Sequence, residues 1–74
     1  MDEPGFYEIR VEDRLTDRWS EWFEGLVIRN EPNGETTLSG LLSDQAALFG
    51  VLNKIYALNL RLIAVNKSIP DERA

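Results

Sequence analysis

Apolar residues recur at Leu48, Val51, Leu52, Ile55 and Leu58 within the stretch Ser43 to Leu58, SDQAALFGVLNKIYAL. That is the i, i+3, i+4, i+7 spacing of one helical face, and it predicts the main helix of the chain. Ser43 or Asp44 can accept from the first free N–H groups as N-cap, and the Asp44 carboxylate suits the positive end of the helix dipole. Ala46 and Ala47 favour the first turns. Asn59 tolerates the left-handed conformation of a helix stop, and Leu60 can supply the hydrophobic contact that accompanies it. Phe49 and Tyr56 flank the apolar stripe, seven residues apart, and widen it beyond what one small sheet must cover.

The remaining pattern has shorter periods. Phe6 to Glu12 alternates, with Tyr7, Ile9 and Val11 on one side and Glu8, Arg10 and Glu12 on the other. This predicts a half-buried strand with a solvated outer face. Leu26 to Asn30 and Glu35 to Leu41 read as two strands. Between them Glu31-Pro32-Asn33-Gly34 is a turn signal, with Pro fixing φ and Asn-Gly offering positive φ, so the pair reads as a hairpin. Thr36 and Leu38 share one face of the second strand. Leu60 to Asn66, LRLIAVN, is almost wholly apolar without clean alternation, a pattern suited to a sheet interior. Residues 67–74 form a polar tail, in which Pro70 cannot continue a sheet interior.

Asp13 to Glu24, DRLTDRWSEWFE, keeps helical spacing at Leu15, Trp19, Trp22 and Phe23. A short helix of about two turns is expected there, capped by Thr16 or Asp17 and ended by Gly25. Two Trp and one Phe are a large apolar mass for so small a chain, and the simplest role for them is to plug one end of the core. The competing role is an aromatic binding patch built on Trp19 and Trp22, with Glu21 beside them. Glu21 and Glu24, three apart, are most simply solvated. Burial among aromatics raises a carboxylate's pKa, and a group so placed can act as acid or base, which keeps a cofactor-free enzyme in view.

The element order is then β–α–β–β–α–β. It predicts an α+β, ferredoxin-like two-layer sandwich with both helices on one face of a four-stranded sheet. The alternative is a β–β–β–α–β meander with one main helix and the Trp segment as an ordered loop. Pairing of the first strand with the third supports the sandwich; pairing of the first with the second rules it out. Seventy-four residues make one domain, with an ordered core expected over residues 6–66.

Composition narrows the chemistry. There is no Cys and no His. Disulfides, thiolate metal sites, Ser-His-Asp and Cys-His nucleophile sets and the usual neutral-pH proton shuttle are therefore impossible. No cofactor is expected, because the five glycines are scattered and none builds a phosphate-cradling loop. The net charge of −5, thirteen acids against eight bases, argues against nucleic acid. The Thr-rich outer sheet face also lacks the stacking aromatics of single-stranded RNA binders. No apolar run approaches the roughly 20 residues of a membrane span, and the acidic N-terminus lacks a signal-peptide layout, so a cytoplasmic protein is expected. A chain this short buries only about 60% of its unfolded surface. Self-association is the remaining common route to stability, and a symmetric homodimer through Phe49, Leu52 and Tyr56, or through a sheet edge, is expected.

Two segments carry a resemblance. LTDRWSEWFEGLVI (15–28) and LSDQAALFGVLNKIYALNL (42–60), with the Glu31-Pro32-Asn33-Gly34 turn between them, resemble a group of small bacterial proteins. That group combines a WSEWF-x-G-L block, an E-P-x-G turn and a D-Q-A-A-L-x-G-L-L helix. The likeness covers most of Phe6 to Val65 and is most specific at Asp44 to Leu48. The group often has His where Phe49 stands and Gly where Asn59 stands, so no function resting on that His carries over. The resemblance implies a self-contained bacterial domain and no particular chemistry. The leading expectation is a non-enzymatic interaction or regulatory module that self-associates, with a protein partner as a further occupant. The alternative is a small-molecule binding domain using the Trp19/Trp22 pocket.

Overall fold

The computed structural model describes residues 4–68. It is an α+β domain with a four-stranded antiparallel sheet and one α-helix. The strands are β1 (Gly5–Val11), β2 (Val27–Asn30), β3 (Thr36–Leu42) and β4 (Leu62–Ser68); the helix α1 spans Gln45–Ala57. The sheet order is β2-β3-β1-β4, so the first strand pairs with the third and not with the second. The meander order is thereby excluded, although the single helix and the ordered Trp loop that went with it are present.

The alternation of β1 is realised as read: Tyr7, Ile9 and Val11 are buried. They share one sheet face with Leu38 and Leu42 of β3, because Ile9 sits opposite Leu38. Leu48, Val51 and Ile55 of α1 complete that core, each burial contributing about 1.5–3 kcal/mol. Leu52 and Leu58 pack at its margin.

Both helix ends are closed as their sequences require. The Asp44 carboxylate accepts from the Ala47 N–H at 2.8 Å. At the other end Asn59 takes φ 62°, its N–H reaches the Tyr56 carbonyl and the Leu60 N–H reaches the Ile55 carbonyl. These two bonds form a complete Schellman stop. In the hairpin, Gly34 alone takes positive φ, while the Asn33 side chain accepts from the Glu35 N–H.

Three expectations are corrected. The segment between β1 and β2 holds a single 3₁₀ turn, Asp17–Trp19, rather than a two-turn helix. After it come turns closed by Glu24 (φ 61°) and Gly25 (φ 78°), and the Ser20 hydroxyl donates to the Leu26 carbonyl at 2.8 Å. Two consecutive left-handed residues end any helix, and the connection between β1 and β2 contains no α-helix. The core plug is Phe23, fully buried with Leu15 and Leu26, not the tryptophans. Finally, β4 is an edge strand rather than an interior one. β4 takes the side of β1 that β3 leaves free, and no additional strand lies beyond it among the described residues. The strand runs on to Ser68; the rest of the expected polar tail, with Pro70, lies outside the described residues.

Candidate functional site

The Trp segment is held to the sheet by one buried threonine. The Thr36 hydroxyl donates to the Asp13 carbonyl at 2.7 Å and accepts from the Leu15 N–H at 3.3 Å, so a fully buried polar side chain is satisfied at both ends. Leu15, Phe23 and Leu26 then insert into the core, and the chain between them is displayed outward.

There the two indoles meet edge to face, with centroids 6.5 Å apart and planes at 80°, the arrangement favoured by ring quadrupoles. Trp19 packs partly against the core, whereas Trp22 is 44% exposed. Lys54 of α1 fixes Trp22 from behind. Its ammonium lies 5.3 Å from the Trp22 ring centroid and donates to the Trp22 carbonyl at 2.9 Å and to the Glu24 carboxylate at 3.0 Å. Both partners are part-exposed, and a cation–π contact in such a setting stabilises by about 0.5–1 kcal/mol. Helix, loop and indole are thus locked by one side chain.

In front of the pair lies an open cleft of about 440 Å³, lined by Thr16, Arg18, Trp19 and Trp22. The two Trp named from sequence are brought together. Glu21 is exposed and is not among the lining residues. Glu24 faces Lys54 instead of sharing a helical face with Glu21. Arg18 and the Thr16 hydroxyl were not foreseen as lining groups. No local pattern marks them: that the Thr16 side chain caps nothing and that Arg18 has no carboxylate within ion-pair distance among the described residues are both consequences of the fold.

A second polar cluster lies on the sheet face away from α1. Thr37 stands between Arg10 and Arg29 on the neighbouring strands. It is buried although it belongs to the outer face, and its hydroxyl donates to Glu31 Oε2 at 2.7 Å. Arg29 also reaches that oxygen at 2.9 Å, and Arg10 pairs with Glu35 at 3.7 Å. The Thr37 hydroxyl first, then the Arg29 guanidinium, hold the Glu31 carboxyl below its ordinary pKa. Every charge here is answered within the cluster, which makes it a structural network. Among the described residues no group of three or more His, Cys, Asp or Glu could hold a metal ion.

Of the expected interface residues, Phe49 is 54% and Tyr56 85% exposed, while Leu52 is partly buried against the core. The edge strand adds Leu62, Ile63 and Val65, exposed by 49%, 40% and 37%.

Fold and cleft together define a small α+β domain with an aromatic surface cleft and an apolar sheet edge. The chain belongs to a family described as a domain of unknown function (DUF8691), whose model matches residues 6–66. Among curated proteins and among solved structures none matches the chain. No helix among the described residues is long and apolar enough to cross a membrane.

Proposed function

We propose that the domain is a non-enzymatic interaction module that self-associates by joining the β4 edges of two copies into one continuous sheet. The observation that carries this reading is the β4 edge itself: seven residues whose outer backbone groups pair with no strand among the described residues, and three exposed aliphatic side chains. Such an edge is a template for another strand. A second copy suits it because one strand paired antiparallel with itself about a two-fold axis satisfies both edges at once. In a chain of net charge −5, β4 carries no acid. Its one charge, Lys67, lies 5.8 Å from the Tyr7 ring. Charge repulsion therefore falls away from the seam.

The strand order supports reading the fold as a ferredoxin-like sandwich whose first helix has shrunk to a 3₁₀ turn. A bacterial cytoplasmic setting is part of the same proposal, and cell fractionation tests it. Sedimentation at micromolar concentration tests the assembly, with twice the chain mass of 8.5 kDa expected. Ile63→Lys should return the mass to one chain with the far-UV spectrum unchanged. A monomeric parent refutes the proposal. A dimer split by Phe49→Glu but not by Ile63→Lys moves the interface to the exposed side of α1, around Phe49, Leu52 and Tyr56.

A second reading has its own support: the Trp19/Trp22 cleft is preformed and held by Lys54, which favours ligand binding there.

A further inference from the structure

If the cleft in front of the tryptophan pair binds a ligand, which is the second reading of function and the one this inference rests on, its features together select a ligand class. Its shape comes first. It is open and lined by only four residues, whereas sites for small molecules enclose most of the ligand's surface. A compact metabolite in this cleft would stay largely wet. An extended chain crossing it gathers contacts along its length and does not need enclosure.

The walls come next. Two indoles at 80° to one another offer two flat faces meeting at an angle. Proline-rich segments dock on aromatic-lined grooves in this manner, because the polyproline II conformation is already formed in the free peptide and little entropy is lost on binding. Its carbonyls make no internal hydrogen bonds, and indole N–H groups are donors only. The receptor is preorganised as well, since Lys54 fixes Trp22 through its ring and its carbonyl. Preorganisation on both sides reduces the entropic cost of association.

The third feature is charge. Arg10, Arg29, Lys54 and Arg61 each have a carboxylate partner within 4 Å. Arg14, Arg18 and Lys67 have none among the described residues, and of these three Arg18 lines the cleft. A guanidinium presents a planar fork matched to a carboxylate. The net charge of −5 repels a strongly acidic chain, so a single carboxylate flanked by uncharged residues fits better than a polyacidic run.

We propose that the cleft of Thr16, Arg18, Trp19 and Trp22 binds an extended, proline-containing peptide segment bearing one carboxylate, with the proline rings in the angle between the indoles and the carboxylate on Arg18. The test titrates the full chain with four probes: an acetylated polyproline peptide with one central Asp, the same peptide with Asn, an Ala-for-Pro version of the Asp peptide, and indole-3-acetate. The readouts are Trp fluorescence and the two indole N–H resonances. Saturable shifts of both indoles are expected with the Asp peptide. Affinity should fall about tenfold for the Asn peptide, as loss of a charge-assisted contact does, and the Ala version should bind more weakly still. Arg18→Gln, at an exposed position, should leave the spectrum of the free protein unchanged and abolish the difference between the Asp and Asn peptides. Equal affinity for these two peptides in the parent overturns the carboxylate assignment. Equal affinity for the Pro and Ala peptides overturns the proline assignment. Saturation by indole-3-acetate with no response to any peptide overturns the ligand class and leaves the cleft reading standing. If no probe moves either indole, both fall.

Discussion

Replacing Phe23 measures how the Trp segment is anchored. Phe23 is fully buried among Leu15, Leu26 and the sheet. Truncation of such a ring to Ala costs about 3–5 kcal/mol. Natural domains hold roughly 0.05–0.15 kcal/mol per residue, so a chain of this length has on the order of 4–11 kcal/mol in all. Phe23→Ala therefore removes a large share of the stability, and in the lower part of that range it unfolds the domain. Phe23→Leu keeps most of the volume and is expected to cost about 1–2 kcal/mol. At about 4–8 °C per kcal/mol for a domain this small, that lowers Tm by about 4–16 °C. Trp22 is the comparison. With 44% of its surface already exposed, it loses only part of a buried ring's contribution plus the Lys54 contact, so Trp22→Ala is expected to cost about 1–2 kcal/mol. Urea denaturation followed by far-UV circular dichroism gives the three differences, with unchanged m-values as the check that one unfolded state serves all. If Trp22→Ala proves as costly as Phe23→Ala, the indole and not the phenyl ring is the anchor, and the assignment of Trp22 to the cleft wall fails with it.

Three further outcomes are expected. Asp44→Ala removes the acceptor of the Ala47 N–H and should cost about 1 kcal/mol, while Asp44→Asn should cost little; urea midpoints separate the two. Gly40→Ala should cost about 1–3 kcal/mol by overpacking, because a Cβ there would lie 2.8 Å from Leu26 Cδ2, a buried side chain with nowhere to retreat; thermal melting measures it. The Glu31 carboxyl has its pKa lowered by the Thr37 hydroxyl and Arg29. Its contribution is therefore fully present above the ordinary carboxylate pKa and is lost as pH falls below about 4.5 through the folded value. Glu31→Gln should thus melt lower than the parent at neutral pH, with the gap closing in acid; a gap independent of pH rules the ion network out as its source.

Legibility in the sequence tracks which interactions are local. The helix, its Asp44 cap and its Asn59 stop depend on neighbours within one or two turns, and they stand where periodicity and capping chemistry place them. The β1 alternation and the hairpin turn are legible for the same reason. The Trp segment misled because Leu15, Trp19, Trp22 and Phe23 keep helical spacing although their side chains part company. Phe23 goes inward and Trp22 outward, and a hydroxyl on β3, twenty-one residues from Leu15, holds the segment's start. Nothing in the local spacing reveals that anchor. Arg18 was equally hidden, since its importance lies in lacking a carboxylate that only the fold could have supplied. The burial of Thr37 on the outer face likewise comes from Arg10 on β1 and from Arg29 and Glu31 at the end of β2, two parts of the chain that only the sheet brings together.

The β4 strand is the place where sequence and single-chain structure disagree most usefully. Leu60 to Asn66 reads as a strand inside a sheet, and yet the topology leaves β4 at an edge with Leu62, Ile63 and Val65 exposed by 37–49%. Edge strands of monomers are commonly protected by charge, proline or a bulge. β4 has a register shift against β1 between Arg10 and Val11 and a lysine near its end, but three aliphatics remain uncovered. A continuous apolar run is the composition of a strand covered on both faces. The proposed pairing moves β4 toward that state: beside its own copy it gains a lateral neighbour whose side chains contact the exposed aliphatics across the seam. Pairing also changes hydrogen exchange, independently of mass. In a paired state the outward-facing β4 amides should exchange slowly with solvent at high protein concentration and quickly on dilution, whereas the amides bonded to β1 should not respond. Exchange of the outward set that is fast at every concentration would mean that the apolar edge stays open, and the disagreement would then need another cause.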